Sequence, residues 1–135
     1  MSMRLNPYIS FNGDAKTAMQ FYQGVLGGEL TMSTFGEFGA PGPDENKIMH
    51  SSLETDAGFT LMASDVPQGM EHHPGDNITI AITGDDADKL RTYWEKLSDG
   101  GTVSMPLEKQ IWGDVYGACV DRFGINWMID IGESD

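Results

Sequence analysis

The feature that most constrains this chain is an internal duplication. Residues 5–65 and 77–132 run through the same order of elements, strand, helix and three strands, with matching turn residues between them. In the first repeat, residues 5–12 read as a strand whose β-forming part is Tyr8-Ile9-Ser10-Phe11, closed by Asn12-Gly13-Asp14. Asp14 is the expected helix N-cap. The apolar positions Ala18, Phe21, Tyr22, Val25 and Leu26 recur at three- and four-residue steps, which predicts a helix over 15–26 that Gly27-Gly28 ends. A strand over 29–35 follows, then a loop from Gly36 to Asn46 too rich in Gly and Pro for regular structure, expected to be mobile and near a binding site. Strands over 47–54 and 59–64 form a hairpin about Thr55-Asp56-Ala57-Gly58.

The second repeat follows the linker 66–76. Its strand over 77–83 alternates through Ile78, Ile80 and Ile82, Gly84-Asp85-Asp86 breaks it, and a helix over 87–97 stops at Gly100-Gly101. Strands over 102–105, 115–120 and 125–131 complete the unit, and Leu61-Met62 in the first repeat answers Trp127-Met128 in the second. Each half alone would leave a sheet face unburied, so the reading is one domain, 1–135, of two repeats. The expected fold class is α+β: paired βαβββ units forming a curved, mostly antiparallel sheet with a concave pocket.

Charge narrows the partners. A formal net charge of −13 repels phosphate backbones and anionic lipid surfaces, so neither nucleic acid nor membrane is an expected partner. One cysteine, Cys119, cannot form an intramolecular disulfide, and no segment reads as a signal peptide or a membrane span. A cytoplasmic location is expected.

Several motifs in order carry a resemblance that covers nearly the whole chain. They are Asn6-Pro7-Tyr8-Ile9-Ser10-Phe11-Asn12-Gly13, Phe21-Tyr22, Val25-Leu26-Gly27-Gly28-Glu29, Lys47-Ile48-Met49-His50 and Leu61-Met62-Ala63-Ser64-Asp65. Trp112-Gly113-Asp114, Tyr116-Gly117 and Asp121-Arg122-Phe123-Gly124-Ile125-Asn126-Trp127 complete the set. Together they resemble the PhnB-like branch of the glyoxalase, bleomycin-resistance and extradiol-dioxygenase (vicinal oxygen chelate) superfamily. The resemblance implies paired βαβββ units and a homodimer, which the apolar surface left by a small curved sheet also favours. A phosphonate role would call for more cationic groups than eight basic residues supply. A nucleotide-dependent methyltransferase would need a glycine-rich turn into a helix, and Gly36, Gly39 and Gly42 are not followed by one.

Enzymes of the superfamily hold a divalent ion through His and Glu at matching strand positions of the two halves. Laying this chain on that pattern puts Pro7, Met62, Asn77 and Met128 there, and none is a strong ligand for such an ion. No metal and no other cofactor is therefore expected. His72-His73 before Asp76 is the remaining cluster of ligating residues, and adjacent histidines in a linker read as a solvated loop. Cys119, without an activating histidine nearby, reads as a buried inert thiol.

Without the ion, the expected pocket suits an apolar or aromatic molecule. Met62, Trp112, Tyr116, Trp127 and Met128 are the candidate walls, His50 and Gln110 the polar anchors, and Asp65 lies near a strand end. A Trp or Met on a strand also serves as core filler, whereas a histidine in an apolar-alternating strand needs a hydrogen-bond partner. The repeat counterpart of His50 is Tyr116, and the two make a candidate acid–base or ligand-orienting pair. Three readings stand: a metal-independent small-molecule binder; a lyase, isomerase or dioxygenase-like enzyme using His50 and Tyr116 or relocated metal ligands; and a structural dimer with a vestigial pocket.

Overall fold

A computed structural model describes residues 3–39 and 42–132. In chain order the elements are β1 (Tyr8–Phe11), α1 (Ala15–Leu26), β2 (Glu29–Thr34), a 3-10 turn (Gly36–Phe38), β3 (Ile48–Glu54), β4 (Thr60–Asp65), β5 (Thr79–Gly84), α2 (Ala87–Ser98), β6 (Thr102–Lys109), β7 (Val115–Val120) and β8 (Asn126–Ile131). The chain divides into two compact units, Met1–Pro74 and Gly75–Asp135. Each is α+β, with one helix and one four-stranded mixed sheet. The strand orders are β1-β4-β3-β2 and β5-β8-β7-β6, so the two units share one topology and neither sheet closes into a barrel. In each sheet one pair is parallel, β1 with β4 and β5 with β8, and the other two pairs are antiparallel.

In the first unit Ala15, Ala18, Met19, Tyr22, Val25 and Leu26 of α1 are buried over Phe11, Leu53, Leu61 and Ala63. Burial of Met19 and Tyr22 contributes on the order of 2 kcal/mol each. Phe21, expected on the buried stripe, is only half-buried beside Tyr22, with ring centroids 5.5 Å apart. In the second unit α2 buries the narrower set Leu90, Tyr93 and Leu97 over Ile82, Trp127, Ile129 and Ile131.

Three expectations are corrected. Asp14 stands at the N-cap of α1, but its side chain makes no capping hydrogen bond. The carboxylate of Asp65, buried at the end of β4, does that work: Oδ1 accepts from the backbone N–H groups of Gly13 and Ala15 at 2.9 and 3.0 Å, and Oδ2 from that of Ile48 at 2.9 Å. Strand β6 continues past Met105 through Pro106 to Lys109. It is an edge strand with register shifts between Val103 and Glu108, and an irregular edge tolerates a residue that cannot donate to the ladder. Finally, the 36–46 segment is not devoid of regular structure. Beyond its 3-10 turn, Gly36 N–H donates to Glu45 O, Lys47 N–H to Asp44 O, and Gln68 N–H to the Asp44 carboxylate. Ala40 and Pro41 of that segment lie outside the described residues.

Candidate functional site

Helix packing decides which face of each sheet remains available. In the first unit the alternate residues Ser51, Leu53, Leu61, Ala63 and Asp65 are buried on the helix side. The other face carries their neighbours. Tyr8, Met62, Ser52 and Thr31 are linked by register across it, and beside them Ser10 pairs with Ser64 and His50 with Ser33. His50 is half-buried, and its ring lies 6.0 Å from that of Tyr8, tilted by 31°. The β-bulge at Met49, between the Ser33–His50 and Thr34–Ile48 pairs, lets Ile48 turn into the core while His50 stays on the open face. This surface combines an imidazole, a phenol, a thioether and a row of hydroxyls.

The second unit repeats the layout with different chemistry. Ala81, Met128, Ala118 and Met105 form one row on the open face, and Thr83, Asp130, Tyr116 and Glu108 form the next. Met62 and Met128 occupy equivalent places, each paired in parallel with the first strand of its sheet and antiparallel with the third. Two residues back along that third strand stand His50 and Tyr116, which are therefore equivalent in register. Trp112, exposed at the tip of the β6–β7 turn, stacks edge-on against Tyr116 with centroids 6.1 Å apart. Gln110 holds that turn: its backbone N–H donates to Asp114 O, its carbonyl accepts from Gly113 N–H, and its side-chain amide donates to Glu108 O.

Trp127 departs from the expected set. Adjacent residues on a strand point to opposite faces, so Trp127 and Met128 cannot line the same one. Trp127 is buried on the helix side, and its indole Nε1 donates to Asp121 Oδ2 at 2.8 Å. It belongs to the core. Asp65, likewise, is a buried bracing group rather than a surface anchor.

Alternation from His50 and Met62 could have disclosed Ser52 and Ser64, but Tyr8 and Ser10 join them only through the parallel β1–β4 register. Another arrangement the sequence does not announce is Asp130 against Asp114. Enclosure first, then the hydrogen bond and repulsion from the Asp114 carboxyl, raise the Asp130 pKa above its ordinary 3.8. Cys119 is buried, and loss of hydration with the nearby Asp121 charge pushes its thiol up to about 11, which suits an inert core group. His72 and His73 diverge, His72 Nε2 contacting Ser10 O at 3.0 Å and His73 Nε2 the Glu71 carboxylate at 2.6 Å.

The ion implied by the resemblance meets a poor donor set. Thioethers of Met62 and Met128 stand on the open faces, with Tyr8 and Ala81 as their parallel-strand partners. Among the described residues, no three of His, Cys, Asp or Glu come together as ligands. Imidazole–carboxylate coordination of a hard divalent ion does not fit these side chains.

Comparison with known proteins agrees with the architecture. The family model described as the glyoxalase/bleomycin resistance protein/dioxygenase superfamily matches residues 4–129. Protein YjdN of Escherichia coli K12 is 28% identical over 143 residues, covering 96% of this chain and 95% of its own. The crystal structure of protein PA1353 from Pseudomonas aeruginosa superposes with a TM-score of 0.89 at 33% identity, over 98% of this chain and 100% of that one. A PhnB protein from Bacillus cereus shares the fold with a TM-score of 0.73 at 21% identity, over 96% and 100% of the two chains. With two βαβββ units of one topology and a family match across almost its whole length, this chain belongs to the glyoxalase/bleomycin resistance protein/dioxygenase superfamily.

Proposed function

We propose that the protein is a metal-independent binder of a small molecule with an apolar or aromatic body and hydrogen-bonding oxygens, and that its two repeats act as one domain. The observation that carries this reading is the Tyr8–His50 ring pair on an open, hydroxyl-rich sheet face. Rings give a flat ligand something to lie on, and the imidazole and serine hydroxyls supply directional partners. In this reading His50 hydrogen-bonds the ligand, and Met62 conforms to its body. Titration with 2-naphthol, a flat hydroxyaromatic probe, tests it. His50→Ala should weaken binding by about 1–2 kcal/mol while a chelator leaves it unchanged. Unaltered binding in the variant would overturn the role of His50. A stoichiometric divalent ion lost together with turnover in His50→Ala would favour an enzyme with relocated ligands instead.

A further inference from the structure

The two helices begin alike at Ala15 and Ala87 and each run for 12 residues, so they can be compared place by place. At the fifth and eighth places α1 carries Met19 and Tyr22, both fully buried. At the same places α2 carries Arg91, which is exposed, and Trp94, which is half-buried. Where the first unit has core, the second has a groove of about 270 Å³ between α2 and β6, lined by Arg91, Trp94, Glu95, Val103, Pro106 and Leu107.

Its walls are held in place by backbone geometry. A Cβ on Gly117 would stand 2.9 Å from both Trp94 Cη2 and the Leu107 Cα, so the indole and the irregular part of β6 close onto β7 only because that residue is glycine. The register shift between Met105 and Glu108 falls at Pro106 and Leu107, the apolar side of the groove. Among the described residues, the Arg91 guanidinium, the Glu95 carboxylate and the Trp94 indole N–H have no hydrogen-bond or ion-pair partner.

We infer that this α2–β6 groove binds a small aromatic monocarboxylate, its ring against Trp94, Pro106 and Leu107 and its carboxylate on Arg91. The size sets the ligand: the volume lies just below the ~300 Å³ lower end of ordinary ligand pockets, enough for one ring system. The charge also sets it. An unpaired guanidinium offers a planar fork to a carboxylate, and indole and proline faces suit an aromatic ring. Glu95 at the same groove, within a chain of net charge −13, opposes a second negative charge and so disfavours phosphates and dicarboxylates. The site is independent of the open sheet faces, because α2 lies on the opposite side of its sheet from Met128 and Tyr116.

Titration of the ¹⁵N-labelled full chain with indole-3-acetate, and with the neutral indole-3-ethanol, provides the test. Expected are amide shifts at residues 91–95 and 103–107, binding there weakened about tenfold in Arg91→Gln, and a similar loss for the neutral alcohol. Arg91 is exposed, so its replacement leaves the core intact, and the neutral probe tests the same charge on the unaltered protein. His50→Ala should leave this binding unchanged, which separates it from the open-face reading. Absence of shifts, shifts centred on β3, or equal affinity for the alcohol or for Arg91→Gln would overturn the inference.

Discussion

At the residue scale, two carboxylates illustrate opposite fates of an acid, one buried and one half-buried. Asp65 accepts three backbone N–H groups and ties the start of α1 and the start of β3 to the end of β4. Asp65→Ala would leave those donors facing a void, and we expect a loss of about 3 kcal/mol in denaturant unfolding. Asp130 instead faces Asp114, and its raised pKa means that, between the ordinary and the folded value, the folded state keeps a proton which the unfolded state has released. Its contribution to stability is therefore present below about 3.8, the ordinary value, and is lost as pH rises through the folded value. Asp130→Asn should raise the melting temperature at neutral pH, with the difference shrinking as the pH falls below that ordinary value. Thermal denaturation at the two pH values checks the sign. Neither role was legible locally: Asp14 has the right position for a cap, yet the cap comes from a strand fifty residues away.

At the scale of elements, the joints between helix and second strand depend on glycine. A Cβ on Gly28 would collide with the backbone oxygen of Glu54, and one on Gly101 with that of Val120. The two sites are equivalent, since each precedes the edge strand and abuts the end of the strand paired with it. Gly28→Ala and Gly101→Ala should each destabilise by about 1–3 kcal/mol, read as a shift in denaturant midpoint. The double-glycine stops signalled these joints in the sequence because they serve local chain geometry. Strand β6 was legible only to Met105, because Pro106 is ordinarily a strand breaker and only an edge position excuses it. The core of α1 was readable from its period, whereas the exposed flank of α2 was not, since Arg91 and Trp94 look like an ordinary polar turn of helix.

For the whole molecule, the net charge of −13 and the apolar side chains left exposed, among them Val103, Met105, Ile111 and Trp112, pull in different directions. Charge favours dispersal, and exposed apolar surface favours association. We expect a homodimer, strengthened by salt that screens the like charges, and sedimentation at micromolar concentration should give a dimer-sized species whose dissociation falls as ionic strength rises. No helix among the described residues is long and apolar enough to cross a membrane. The amino-acid sequence by itself determined the order of elements, the repeated turn punctuation and the family, because period, glycine placement and motif order are properties of neighbouring residues. It also marked His50 and Tyr116 as counterparts. Only the tertiary structure decided that Tyr8 meets His50, that Trp127 belongs to the core while Met128 lies open, and that Asp65 braces three segments. Those facts depend on strand register and on which face the helix covers, and both are set by contacts between residues far apart in the chain.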